Sequence, residues 1–145
     1  MQLTVTTVES VEAWGDTLSL VKVKGIDKTV VANRKEDGSF RWTVGEPVVY
    51  VPENAVLPED VLKARGYWDE SKNKGLLGAS KGNRVKNRVF GRTEDNPGVE
   101  SSGLLFKIVV EQGYEWFVIG GALGNKRVFE GDDVADFLGV TEYVA

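Results

Sequence analysis

The sequence predicts a mainly β fold, a small barrel with one or two short helices at its periphery. Two features carry this expectation. Short runs rich in Val, Thr and aromatic residues recur along the chain, a composition that suits a pleated, half-buried surface. Glycine-containing turns separate them at close intervals, at Gly15-Asp16, Gly25, Asp37-Gly38, Gly45, Gly91, Gly113 and Gly120-Gly121.

The strand-like runs fall at 3–11, 17–24, 28–33, 47–52, 83–90, 104–110 and 114–119. In the second, the apolar register changes from Leu18 and Leu20 to Val21 and Val23. A one-residue slip exchanges the two faces, so a bulge near Leu20 is expected where the strand turns a barrel corner. Segment 58–65 is the first helix: Pro58 and two acids open it, basic residues close it and Gly66 follows. Glu111-Gln112-Gly113 lies between two apolar runs and marks a hairpin turn. The second helix is 131–138, with Asp132 and Asp133 early, Val134, Phe137 and Leu138 on one side and Gly139 as a stop. The interior is expected to hold Val48, Tyr50, Leu104, Phe106 and Phe117. Residues 1–145 form a single domain in this reading, with a basic connection around 63–82 and a C-terminal hairpin plus short helix over 104–139.

Composition narrows the function. At 145 residues, with 41% hydrophobic and 28% charged residues, the chain is long enough for one well-buried domain. It contains no Cys, which excludes disulfides, a thiol nucleophile and thiolate metal sites. It contains no His, which removes serine–histidine hydrolysis, histidine base catalysis and most zinc sites. No apolar stretch approaches the roughly 18 residues of a membrane helix, and the first ten residues lack signal-peptide character. A cytoplasmic protein that is not an enzyme is predicted. The net charge of −4 argues against a surface that coats nucleic acid or anionic lipid as a whole. Yet the charge is uneven. From Lys63 to Arg92 there are nine basic residues and two acids (net +7), whereas the rest holds nine basic and twenty acidic residues (net −11). Such a segment either focuses an anionic partner on one place or is a solvated loop.

Three motifs invite chemistry that their surroundings do not support. Lys35-Glu36-Asp37-Gly38 spells K-x-D-G, the tetrapeptide that carries the nucleophilic lysine of covalent nucleotidyltransferases. That chemistry also needs a pocket that lowers the lysine pKa, carboxylates for a divalent metal and further cations for the triphosphate. Here the tetrapeptide lies between two strands and reads as a polar turn. Glu130, Asp132 and Asp133 resemble a hard-metal cluster, but acids at a helix start are explained by the helix alone. Gly120-Gly121-Ala122-Leu123-Gly124 lacks the Lys-Ser/Thr of a phosphate loop and reads as a turn.

The most informative segment is Asn83-Arg84-Val85-Lys86-Asn87-Arg88-Val89-Phe90. As a strand it sets Arg84, Lys86 and Arg88 on one face and Val85 and Val89 on the other. Alternate residues on that face stand about 6.6–6.8 Å apart, near the reach between successive phosphates of an extended strand. Phe40, Trp42, Tyr50, Tyr67, Trp68 and Phe90 supply rings. A basic strand with stacking rings is how oligonucleotide-binding barrels hold their ligand. Equally, rings fill cores and a basic strand protects a sheet edge. The candidate nucleic-acid contacts are Lys81, Arg84, Lys86, Arg88, Arg92, Trp42 and Trp68.

Four blocks, in order, resemble one RNA ligase family. The first runs from Val8-Glu9-Ser10-Val11 through Leu18-Ser19-Leu20-Val21-Lys22-Val23-Lys24-Gly25. The second is Val44-Gly45-Glu46-Pro47-Val48-Val49-Tyr50-Val51-Pro52 with Ala55-Val56-Leu57-Pro58-Glu59, similar to V-G-D-x-V-V-Y-x-x-x-D-S-x-L-P-E. The third joins Asn83-Arg84-Val85-Lys86 to Ser102-Gly103-Leu104-Leu105-Phe106, and the fourth spans Glu130-Gly131-Asp132-Asp133-Val134 to Tyr143. Together they are similar to the N-terminal module of the Deinococcus-type RNA ligase family. Ser102 stands where that family has Gln, Glu142 where Lys is usual, and Thr93 to Glu100 reads as an inserted polar loop. The resemblance implies a small OB-fold-like β-barrel, with the catalytic nucleotidyltransferase domain absent. It also implies that Lys35 is a loop residue rather than a nucleophile, with no cofactor and no metal. The function expected is non-catalytic binding of RNA or nicked duplex through phosphates and stacking. The alternative is a protein-interaction module that docks the same barrel on a ligase, polymerase or host factor.

Overall fold

The computed structural model describes residues 1–110 and 124–145, with the backbone of Phe117–Ile119. The chain is mainly β. Its central sheet runs β10-β4-β1-β2-β3, built from β1 (Thr4–Trp14), β2 (Leu18–Val23), β3 (Val30–Asn33), β4 (Pro47–Val51) and β10 (Leu104–Lys107), antiparallel at every junction. Around it lie short pieces: β5 (Ala55–Val56), α1 (Glu59–Ala64), β6 (Trp68–Asp69), β7 (Lys74–Gly75), β8 (Arg88–Phe90) and β9 (Val99–Ser101). After β10 come β11 (Val109–Val110), β12 (Phe117–Ile119), β13 (Lys126–Val128), α2 (Ala135–Leu138) and β14 (Thr141–Glu142). The sheet curls into a half-barrel, an OB-like form with two short helices outside it. Among the described residues no helix is long and apolar enough to cross a membrane.

Strand β4 is buried along its whole length. Alternation then sends its side chains into two cores. Val49 and Val51 join Leu3, Val5, Leu57, Leu62 and Phe106 on one side. Val48 and Tyr50 join Val8, Val21, Val23 and Leu105 on the other. The Tyr50 hydroxyl donates to the Ser102 carbonyl at 2.8 Å, so the buried phenol is satisfied. Gly103 lies against the same ring with φ +95°, where a Cβ would come within 2.7 Å of Tyr50 and of the Val51 carbonyl. Leu104 is half-buried against the first core. The side chain of Phe117 lies outside the described residues, as do the Glu111-Gln112-Gly113 turn and Gly120-Gly121-Ala122-Leu123.

Several expected elements are redrawn. The bulge is on β1, not near Leu20: Val8 pairs with Val23 and Ser10 with Lys22, leaving Glu9 as the extra residue. Strand β2 keeps its register because Ser19 points inward, fully buried, its hydroxyl donating to the Ala32 carbonyl at 3.2 Å. A satisfied polar residue inside made the apolar pattern look slipped. The 83–90 run is not one strand. Arg84 bridges Val56 and Gly78, Val85 is buried, and regular pairing resumes only at Arg88 against β9. Both helices are shorter at their starts than expected. Pro58 becomes the N-cap of α1, and the acids before α2 are used as staples. The Asp133 carboxylate accepts from the Leu3 and Ala135 amides, both at 3.0 Å, tying the start of β1 to α2.

Phe106 is only 2% exposed and sits in the larger core; Phe106→Ala is expected to cost about 3–5 kcal/mol in urea unfolding. Asp133→Ala removes two backbone partners and is expected to cost about 1–2 kcal/mol. An effect of Phe106→Ala no larger than that of Asp133→Ala would contradict this core.

Candidate functional site

A groove opens beside strand β3 of the half-barrel. Its floor is β3 and the segment Gly103–Leu105; Arg41 and Trp42 line it, as do Lys86, Arg88 and Phe90, with Tyr67 beside them. This cavity of about 380 Å³ continues past Arg41, Trp42 and Tyr67 into a second, of about 330 Å³, that adds Lys35, Arg65 and Lys107. A third, of about 580 Å³, shares Tyr67, Lys86 and Arg88 with the first. Tyr67 is thus common to all three. Its backbone amide, donating to the Leu62 carbonyl, fixes it at the end of α1, and its ring packs on Phe106 at 6.5 Å between centroids. Burial pushes its phenol above the ordinary tyrosine value, so it remains neutral near pH 7.

Long-range contacts hold these parts together. Trp14 of β1 lies against Gly91, where a Cβ would meet the indole at 2.1 Å; with φ +69°, only glycine suits the site. That contact seats the β8–β9 ribbon carrying Arg88 and Phe90. On the facing wall, the Lys107 ammonium donates to the Arg41 carbonyl at 3.3 Å. It also lies 5.1 Å over the Trp42 ring and 3.7 Å from the Glu46 carboxylate. Glu46 in turn accepts from the Thr43 amide at 2.9 Å, closing the 41–46 loop. Arg65 donates to the Lys107 carbonyl at 3.1 Å and lies 5.1 Å over Phe106. Arg88 lies 5.4 Å over Phe90. Ring faces and carbonyls therefore keep several cations side by side, each such ring contact being worth about 0.5–1 kcal/mol at an exposed position.

The residues expected from sequence divide into three groups. Trp42, Lys86 and Arg88 line the groove. Trp68 and Lys81 share a separate cleft with Lys74 and Asn83, and Lys63 covers the Trp68 ring at 5.0 Å. Arg84 is half-buried, its guanidinium 3.8 Å over the Tyr143 ring, beside the β14–β5 pairing. Arg92 is exposed in the turn after β8. Arg84, Lys86 and Arg88 thus do not form one strand face. Arg41, Arg65 and Lys107 come from outside the 83–90 run; an Arg-Trp pair in a polar loop between Gly38 and Gly45 is the sequence signal that points to the first.

The tetrapeptide at Lys35 is a tight turn. The Gly38 amide donates to the Lys35 carbonyl and the Lys35 amide to Ser39, both at 2.9 Å. Asp37 accepts from the Ser39 hydroxyl at 2.6 Å and the Ser39 amide at 2.9 Å, which holds its carboxyl below the ordinary value. The C-terminal acids are likewise committed: Glu130 to Lys24 at 3.2 Å, and Asp132 to the Phe129 amide at 2.9 Å. Among the described residues no group of three or more acids gathers as a metal site.

No family model matches the chain, and no curated protein does. Solved structures do. The RNA ligase of Naegleria gruberi with pyrophosphate aligns at a TM-score of 0.57 and 20% identity, over 99% of this chain and 35% of the ligase. A mutant of that ligase with ATP and manganese gives 0.59 at 20% identity, with 99% and 35% covered. An apo mutant gives 0.58 at 21%, again with 99% and 35% covered. The chain has the fold of part of an RNA ligase and spans about a third of that enzyme's length.

Lys107 is a tether in this arrangement. Lys107→Ala is expected to speed hydrogen exchange at the Thr43 amide while changing stability by less than about 1 kcal/mol. Unaltered exchange there would mean that the 41–46 loop is held by other contacts.

Proposed function

We propose that the groove binds a nucleic-acid strand, gripping phosphates through Arg41, Lys86 and Arg88 and stacking bases on Trp42, Tyr67 and Phe90. One observation carries this reading: three cations and three rings, drawn from separate elements, line one cavity. Cations alone suit any anion, and rings alone suit any apolar ligand. The two together in one groove suit a polymer with a phosphate and a flat base per unit. The net negative charge of the whole chain strengthens the contrast, because the field then favours anions at the groove and repels them elsewhere.

The ligase-like fold and the four ordered sequence blocks support a finer reading. In it the chain is a relative of the N-terminal module of a Deinococcus-type RNA ligase, and its ligands are RNA or nicked duplex. The module acts without catalysis of its own. Lys35 is an exposed turn residue, and the Asp37 carboxylate beside it is spent on Ser39.

Fluorescence anisotropy with labelled RNA across a salt series tests the binding. Three phosphate contacts predict a slope of log K on log salt near −2 for a single strand. The double variant Lys86→Ala, Arg88→Ala is expected to weaken binding to all sequences alike and to flatten the slope to about −0.7. Arg92→Ala is expected to leave it unchanged, since Arg92 lies outside the groove. Absence of binding at low salt would sink the proposal, and recovery of a protein through the same basic face would favour the interaction module. Separately, incubation with labelled ATP and manganese is expected to leave the chain unlabelled; a covalent nucleotide lost in Lys35→Ala would overturn the non-catalytic reading.

A further inference from the structure

The groove floor is a sheet edge, and this has a bearing on which form of nucleic acid it can hold. Strand β3 is the last strand of the central sheet. Its ladder with β2 pairs Ser19 with Ala32 and Leu18 with Asn33, and the Arg34 amide donates to the Thr17 carbonyl at 2.9 Å. In an antiparallel ladder the bonded residues alternate, so Ala32 faces β2 while Val31 and Asn33 direct their backbone groups outward. The Ser101 hydroxyl accepts from the Val31 amide at 2.9 Å, and the Ser102 amide donates to the Thr29 carbonyl at 2.9 Å. That covers the first half of the edge. Among the described residues no hydrogen bond covers the Val31 carbonyl or the Asn33 backbone, and both residues line the groove.

We infer that the groove is a single-strand site: of the two ligands above it takes unpaired RNA and discriminates against paired duplex. The inference rests on the nucleic-acid reading above and names its substrate class. In a duplex the base faces are stacked on one another and the Watson–Crick edges are paired, so Trp42 and Phe90 would find no face and the β3 edge no free Watson–Crick edge. Only the cations would be used. An unpaired strand offers all three at once: phosphates for Arg41, Lys86 and Arg88, flat faces for the rings, and donor and acceptor edges for Asn33 and the Val31 carbonyl. Each polar group on the β3 edge that is covered without a partner costs free energy, which sharpens the preference for a ligand that can answer it.

The test compares a short unstructured RNA with the same RNA annealed to its complement, by anisotropy at one fixed salt concentration. The single strand is expected to bind at least about tenfold more tightly. Trp42→Ala and Phe90→Ala, each checked for an unchanged circular-dichroism spectrum, are each expected to weaken single-strand binding roughly 5- to 150-fold. Both should leave duplex binding nearly unaltered. Trp42 lies in the loop before β4 and Phe90 on β8, so a folding defect in one does not remove the test. Equal or tighter duplex binding, or an equal loss for both ligands in the ring variants, would overturn the single-strand inference while leaving nucleic-acid binding standing. If neither ligand binds, the parent reading falls as well.

Discussion

Five consecutive residues of β4, Pro47–Val51, are buried on both faces, and most of the architecture answers to that. A strand in an antiparallel sheet ordinarily shows one face to water. Here β1 and β10 pair on either side of β4, and both faces have to be covered by apolar side chains. Helix α1 and the C-terminal elements close one side around Phe106 and Leu62. The curl of β1 and β2 closes the other around Tyr50 and Leu105. The curl is served by the extra residue at Glu9, since a bulge bends its strand and increases the local twist.

The groove follows from the same curl. A half-barrel leaves β3 as a sheet edge, and an uncovered edge is a hazard that proteins manage with charge or cover. In this chain the β8–β9 ribbon covers one end through Ser101, while Arg88 and Lys86 stand beside the rest. Grouping cations there is unfavourable in itself. The cost is moderated by Phe106, Phe90 and Trp42, whose faces receive Arg65, Arg88 and Lys107, and by the carbonyls of Lys107 and Arg41. The arrangement leaves a positive potential at a place lined with aromatic surface, which is the physical content of the proposed site.

Environment separates residues that look alike in sequence. Arg84 and Lys86 are two positions apart, yet Arg84 is stacked on Tyr143 and Lys86 is exposed at the groove. Tyr67 and Trp68 are neighbours in sequence, yet one joins the groove and the other a separate cleft. Lys35-Glu36-Asp37-Gly38 carries the letters of a nucleotidyltransferase motif, but its Asp37 is engaged in holding a turn. Residue type states what chemistry is available; packing states where it is spent.

The sequence alone determined the mainly β class, the main strands of the central sheet, both helices to within a few residues, and the likeness to part of an RNA ligase fold. Those properties depend on local pattern: side-chain alternation, turn glycines and end-of-helix residues act over a few positions. That Lys86 and Arg88 offer charge and Trp42 a ring was also legible, because charge and ring content are intrinsic to the residues. Only the tertiary structure decided that Arg41 and Tyr67 join them, that Arg84, Trp68 and Lys81 do not, and that the 83–90 run bends. Val85 is drawn into the core while Val89 pairs with Glu100 in an outlying ribbon. Alternation cannot survive that change of neighbours. The bend is dictated by Val56, Gly78 and β9, partners far enough along the chain that no window of local sequence contains them all.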